Sequence, residues 1–375
     1  MAIITLSPSL FRNLQTTEVT FHNHLNFITG ANASGKTSLL EAIYFLSTGK
    51  SFRSRRIKNI VNRNSSSNEF ILFGHLSDSC SSNDSTDKES KEFHTVGIRK
   101  SILSTTDLKL NGDLIRSASQ LALISPVIVI DPSSFELLIG TPKIRRKFLD
   151  WGVFHVEHAF SKVSNEYNNC LKQRNTLLRT ASIDALQLNI WDRKLASLGE
   201  EIHSHRSAYT ESVLPILKNI ASSFMVGNDL EIRYIRGWDK EISLQAALAK
   251  YQSKDIEKKF TQVGAHRADL RITIKGRSVE DILSRGQQKL LVIALYLAQI
   301  QCLVDKVNKR TVVLIDDISA ELDSQNLQRI FDRLVKLKTQ VICTALDISI
   351  IKKALPDDEA YKMFHVEHGK ILEIE

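Results

Sequence analysis

Eight consecutive residues, Gly30, Ala31, Asn32, Ala33, Ser34, Gly35, Lys36 and Thr37, carry the clearest chemistry in the sequence. They read G-x-x-x-x-G-K-T, a spacing that builds a phosphate cradle when a strand precedes it and a helix follows. Both flanks fit. Residues 25–28 form a short strand running into Gly30, and Leu39, Leu40, Ile43, Tyr44 and Leu46 follow helical spacing. Gly35 lets the backbone approach the phosphates, and successive N–H groups line an anion-binding nest. A helix starting near Lys36 aims its positive dipole end at the same oxygens. Lys36 adds a mobile cation for the β- and γ-phosphates, and Thr37 offers a hydroxyl to Mg²⁺. The expected cofactors are therefore ATP and Mg²⁺.

A second constellation agrees with the first. Residues 312–315 are all apolar and end in Asp316 and Asp317, so a buried strand would deliver two carboxylates to the edge of a sheet. Asp316 would hold Mg²⁺ through water, and Asp317 would polarise the attacking water. The plainer reading, two acids capping a helix, is set aside because of the full phosphate loop. A third segment, Leu283-Ser284-Arg285-Gly286-Gln287-Gln288-Lys289, opens an apolar helix shortly before Asp316. Such a start presents Ser284, the backbone around Gly286, and Gln287 to an anion. An ordinary serine–glycine helix start would look the same locally.

These residues need a sheet to hold them. Strands are expected at 25–28, 127–130, 270–274, 312–315 and 341–344, and helices at 287–304 and 325–337. Strands alternating with helices favour a mostly parallel sheet. From residue 143 to 260 prolines nearly vanish and Leu, Ala, Lys, Glu and Gln dominate, so long helices are expected, as over 177–207. The expected architecture is an α/β P-loop head from residues 1–140 and 261–375, with an inserted helical domain at 141–260. Residues 77–91, rich in Ser, Asp, Asn and Lys, read as a mobile surface loop.

Composition narrows the class. Of the 375 residues, 42% are hydrophobic and 25% charged, as in ordinary soluble proteins, and the net charge of +8 suits an anionic partner such as nucleic acid. Cys80, Cys170, Cys302 and Cys343 form no CxxC pair, which suits a reducing cytoplasm. No signal peptide is expected, and the longest apolar stretch, 290–304, is interrupted by Gln299 and Gln301 and reads as a buried helix, so no membrane partner is expected. The pentapeptide Phe154-His155-Val156-Glu157-His158 recurs as Phe364-His365-Val366-Glu367-His368. No further cluster joins the copies into a four-ligand site, and coincidence is the better account.

The order of phosphate loop, signature segment, paired acids and Ser319-Ala320-Glu321-Leu322-Asp323 resembles the ABC-type ATPases, with arginine at 285 where glycine is usual. That resemblance implies that two heads sandwich two nucleotides, Ser284 of one reaching the γ-phosphate of the other, so an ATP-dependent homodimer is expected. The interval between Lys36 and Ser284 is far longer than a transporter subunit needs. Within the superfamily the chain resembles the RecF family of bacterial recombination and gap-repair proteins. The match rests on residues 30–58, 140–150, Gly264-Ala265-His266-Arg267-Ala268-Asp269-Leu270, and 283–323. It implies ATP-dependent binding of single- and double-stranded DNA in DNA repair and replication restart. It also implies work with RecR and RecO to load the strand-exchange recombinase, and slow hydrolysis used as a switch.

Lys50, Arg53, Arg55, Arg56 and Lys58 are the candidate DNA contacts; a solvated basic face would have the same composition. Lys143, Arg145, Arg146 and Lys147 offer another basic surface. Four departures from the family stand out, the first being Ala265 where proline is frequent. Ala33 replaces a glycine, Thr344-Ala345 replaces a switch histidine, and no Q-loop glutamine is evident. Should position 33 need a positive φ, alanine costs about 1 kcal/mol there. The alternatives weighed are a transporter's nucleotide-binding subunit, an overcoming-lysogenization-type nuclease and a scaffold with an inactive nucleotide site.

Overall fold

The computed structural model describes the chain except residues 64, 78–92, 104, 225–228, 318–321, 347, 356–358 and 375. The expected loop at 77–91, apart from Ser77, and most of the 319–323 segment lie outside the described residues. The chain divides into two compact units, residues 1–134 with 308–375, and residues 135–307. Residues 261–307, the signature segment among them, thus pack with the helical unit.

The first unit contains the expected sheet. Its strand order is Lys370–Ile374, Tyr361–Glu367, Leu25–Thr29, Gln340–Thr344, Val312–Ile315, Val127–Ile130. All neighbours are parallel except the first pair. The inner strands are short apolar runs buried on both faces, as parallel strands must be when layers cover each side. A second, antiparallel sheet was not foreseen: Val19–Thr20, Ala2–Ser9, Glu69–Ser77, Phe93–Ser101, Thr106–Leu110, Asp113–Leu114 in that order.

Between the sheets runs the helix Lys36–Thr48, ended by Gly49 in the left-handed region. Leu39, Leu40, Ile43, Phe45 and Leu46 of that helix join Ile28, Leu314 and Ile342 of the parallel sheet and Leu6, Phe70, Leu72 and Ile98 of the antiparallel one in a single core. Phe70 meets the rings of both Phe11 and Phe45 edge-on, with centroids 5.1 Å apart in each pair. The helix that begins at the phosphate loop is therefore fixed on two sides.

The second unit is mainly helical, with Pro142–Val156, Phe160–Leu177, the 39-residue Ala185–Ser223, Leu244–Lys258 and Arg285–Val307. It also holds a three-stranded antiparallel sheet, Arg277–Ser278, Asp269–Ile274, Leu230–Ile235. Helix Arg285–Val307 is long and apolar enough to cross a membrane, yet about two-thirds of its apolar window is buried, as in a core helix. Its buried Gln299 donates to the Phe148 carbonyl at 2.7 Å. Among the described residues, Cys170, Cys302 and Cys343 are buried and form no disulfide. The repeated pentapeptide ends a helix in its first copy and lies on a strand in its second.

Buried charge organises this unit. Arg174, fully buried, pairs with Asp192 at 2.5 Å and Asp255 at 2.7 Å and also reaches Thr261. Arg206 grips Asp150 with two bonds and donates to the Ala265 carbonyl. Arg145 does the same to Asp269, at 2.7 and 3.1 Å, and Arg146 donates to the Ala268 carbonyl. The two motif stretches around 145–150 and 264–270 therefore meet and satisfy each other. Each guanidinium here is committed, and removing one partner would strand a buried charge.

His266 sits in the middle of this network. Its Nε2–H faces the Thr261 carbonyl at 3.1 Å, which leaves Nδ1 to accept from the Tyr167 hydroxyl at 2.8 Å. Burial, aided by Arg267, Arg146 and Arg174, pushes its pKa down to about 4 from 6.5. The unfolded chain then takes up a proton that the folded unit refuses. Stability should be intact above pH 6.5 and fall towards pH 4, by about 3 kcal/mol in all. Urea midpoints across that range test this: His266→Gln, which keeps a donor and an acceptor but cannot titrate, should flatten the acid limb.

Candidate nucleotide site

Four parallel strands end on one edge of the sheet, and their C-terminal ends deliver the site. Leu25–Thr29 releases the phosphate loop, Val312–Ile315 releases Asp316 and Asp317, Gln340–Thr344 ends in Thr344, and Val127–Ile130 leads to Asp131 and Pro132. Ligands of open α/β sheets sit at that edge because strand ends and helix N-termini converge there. A cavity of about 640 Å³ opens over it, lined by Asn32, Ala33, Gly35, Lys36, Thr37, Asp316, Asp317 and Thr344 on one side. Arg12, Asn13, Arg53, Asn59, Asn62 and Arg63 also line it.

The phosphate loop has the form its sequence requires. Lys36 Nζ donates to the carbonyls of Gly30 and Ala31 at 2.7 and 2.9 Å, closing the loop around its own cation. Burial holds this ammonium below its ordinary pKa, against the opposing pull of Asp316 and Asp317. An incoming polyphosphate would favour the charged form. Ala33 does adopt the left-handed region, with φ 62°, so the penalty raised by its Cβ is present.

Asp316 and Thr37 meet: the Thr37 hydroxyl lies 3.1 and 3.0 Å from the two carboxylate oxygens. Thr344 completes the arrangement. Its hydroxyl donates to Asp316 at 2.8 Å and accepts the Asp317 backbone N–H at 2.9 Å. Thr344 thus occupies the end of the strand where a switch histidine was missed, and it orients both acids. Asp317 is held at φ 56°, and its Oδ1 is buried without a hydrogen-bond partner. A hydroxyl beside a carboxylate gives the hard oxygen donors Mg²⁺ prefers, so Thr37 and Asp316 fit that ion. None of the cavity-lining residues is glutamine.

Several contributors had no motif to announce them. Asn13 donates to the carbonyls of Ala33 and Ser34 and accepts from Ser38 Oγ. Glu41, fully buried on the phosphate-loop helix, takes two bonds from Arg12 at 2.7 and 2.8 Å and one from Ser51, with Arg53 3.5 Å away. A glutamate between Leu40 and Ala42 in an apolar helix was the one available signal, because a buried carboxylate must find a cation.

The remaining candidates are placed as follows. Ser284, Gly286 and Gln287 belong to the second unit. Ser284 N–H donates to Gln287 Oε1 at 3.0 Å and Gln287 N–H to Ser284 Oγ at 3.3 Å, a reciprocal capping box on an exposed helix start. The Ser284 hydroxyl accepts there, so its proton stays available to an outside acceptor. Lys50, Arg53, Arg55, Arg56 and Lys58 are all exposed, while Phe52 packs edge-on against Tyr44. Arg145 and Arg146, in contrast, are tied up internally, which leaves Lys143 and Lys147 as the exposed cations of their stretch.

Comparison with known proteins gives a consistent picture. The profile of the RecF/RecN/SMC N terminal domain family matches residues 2–372. The chain is 39% identical to the DNA replication and repair protein RecF of Cellvibrio japonicus, over 99% of both chains. It is 40% identical to the RecF of Aliivibrio salmonicida, over 96% of both. A solved structure of the recombination mediator protein RecF with ATP, from the RecFOR pathway, superposes with TM-score 0.84 at 26% identity, covering 100% of this chain and 98% of that one. An Smc head bound to the C-winged helix domain of ScpA shares the fold, with TM-score 0.60 at 17% identity, covering 100% of this chain and 98% of that one.

The strain at residue 33 gives a direct test. Ala33→Gly should raise stability by about 1 kcal/mol by removing the left-handed penalty, read as a later urea midpoint.

Proposed function

Because the chain belongs to the RecF family, we propose that it is an ATP-gated DNA-binding protein of recombinational gap repair and replication restart. The observation that carries the reading is the meeting of Thr37 and Asp316, 3.0–3.1 Å apart, above a complete phosphate loop. ATP would lie along residues 30–37, its β- and γ-phosphates drawn to the helix N-terminus and Lys36. Thr37 and Asp316 would hold Mg²⁺, which supplies charge neutralisation when bound. Asp317, which also lines the cavity, would polarise the attacking water. That assignment suits slow hydrolysis used as a switch, since Thr344 and Ala345 stand where many relatives have a switch histidine.

The capping box suggests how a second copy takes part. Ser284 and Gln287, with the backbone at Gly286, would offer a helix N-terminus to the γ-phosphate held by the partner, making the homodimer depend on ATP. In this reading the functional head spans residues 1–140 and 261–375, with 141–260 as the arm. Lys50, Arg53, Arg55, Arg56 and Lys58 would contact phosphates of single- and double-stranded DNA without reading sequence. The RecFOR pathway of the matched structure supports RecR and RecO as partners, and in this reading the protein helps to load a strand-exchange recombinase in the cytoplasm. The full-length match to DNA-repair relatives weighs against the transporter-subunit alternative.

Fluorescence anisotropy on gapped duplex DNA, with and without ATP and Mg²⁺, tests the proposal. ATP should tighten binding by the wild type, and Lys36→Met and Ser284→Arg should each abolish that gain. Equal wild-type binding with and without ATP, or a wild-type response in Ser284→Arg, would sink the composite-site mechanism. Raising salt should weaken binding steeply if the basic cluster contacts phosphates.

A further inference from the structure

A backbone cradle for phosphate works only while its peptide planes face the right way. In a trans peptide the carbonyl of one residue and the N–H of the next point in opposite directions, so holding a carbonyl aims the following amide. The carbonyl of Ser34 is held twice. Asn13 Nδ2 donates to it at 3.1 Å, and the Gly369 N–H donates to it at 2.9 Å. Asn13 Nδ2 also approaches the carbonyl of Ala33 at 3.4 Å, at the residue with positive φ. The Asn13 amide cannot be turned round, because its oxygen would then face the two carbonyl oxygens, which only accept; as placed, Oδ1 accepts from Ser38 Oγ at 2.8 Å.

Gly369 comes from the far end of the chain, in the turn between strands Tyr361–Glu367 and Lys370–Ile374. This turn is seated on the segment around Asn13: Gln15 N–H donates to the Gly369 carbonyl at 2.9 Å, and Gln15 Nε2 to the His368 carbonyl at 3.3 Å. A Cβ on Gly369 would fall 1.8 Å from the Asn13 carbonyl oxygen, and φ there is +78°. Only glycine permits this approach. Two distant segments therefore converge on the carbonyl that precedes Gly35.

We propose that Asn13 is a positioning residue for nucleotide binding, which together with the turn at Gly369 turns the Ala33 and Ser34 carbonyls outward and so aims the Gly35 amide at the phosphates. The proposal rests on the ATP reading above. Asn13 touches the loop rather than the reacting atoms, so its effect falls on nucleotide affinity and not on the chemical step. Its burden is increased by Ala33, whose strained conformation it helps to hold.

Titration of a fluorescent ATP analogue into wild type, Asn13→Ala, Asn13→Asp, Gln15→Ala and Asn13→Ala/Ala33→Gly tests this, beside thermal unfolding without nucleotide. Asn13→Ala should weaken binding about tenfold, the worth of the lost hydrogen bonds. Asn13→Asp, which sets a carboxylate against two carbonyls, should weaken it further. Gln15→Ala should give a smaller loss by loosening the turn. Ala33→Gly should recover part of the Asn13→Ala loss, and in Asn13→Ala the loss should fall on KM for ATP more than on kcat. Unchanged affinity in Asn13→Ala and Asn13→Asp would overturn the proposal. So would a loss that tracks unfolding and is not recovered by Ala33→Gly. Absence of ATP binding by the wild type would instead remove the nucleotide reading beneath it.

Discussion

Backbone amides attract phosphate only while the carbonyls between them are engaged elsewhere, and the first unit is arranged around that constraint. Lys36 takes the carbonyls of Gly30 and Ala31, and Asn13 and Gly369 take those nearest Gly35. The helix behind the loop cannot shift, because its apolar faces are packed against two sheets. The strand before it is hydrogen-bonded on both sides by parallel neighbours. Thr344 then fixes the acids relative to Thr37 through one hydroxyl. Each contact is modest by itself, and the site emerges because they converge on one sheet edge.

The two units solve the problem of buried charge differently. In the first, Glu41 gathers Arg12, Arg53 and Ser51, so a carboxylate of the phosphate-loop helix is tied to the wall of the cavity and to the basic stretch beyond it. In the second, Arg174, Arg206 and Arg145 each bind carboxylates and draw distant segments together. Buried ion pairs add little net stability, but each is costly to break, so they select one packing among several. In the His266 segment, Asp269 is paired with Arg145 and the Ala265 and Ala268 carbonyls accept from Arg206 and Arg146.

Much of the site was legible because its signals are local. Gly30 to Thr37 carry their geometry in the residue types, and the apolar run at 312–315 dictates where Asp316 must emerge. Even the left-handed conformation at Ala33 could be anticipated. The antiparallel sheet was not legible: its strands mix Ser, Thr, His and Gly with apolar residues, and two of them flank the polar stretch from 78 to 92. Asn13 and Thr344 were invisible as site residues for another reason. Their roles exist only after distant segments are brought together, and no spacing rule links position 13 to 369.

Strand order has a consequence for how the protein is made. The strand Leu25–Thr29 has as its two neighbours Gln340–Thr344 and Tyr361–Glu367. Until residues 340–367 have been made, the strand Leu25–Thr29 has no neighbour to pair with in this sheet, whereas residues 135–307, a compact unit of their own, come earlier as a contiguous stretch. The parallel sheet, and with it a shaped phosphate loop, therefore waits for those two strands: a nascent chain stalled before residue 340 would carry every nucleotide motif in its sequence and have nowhere to seat the nucleotide.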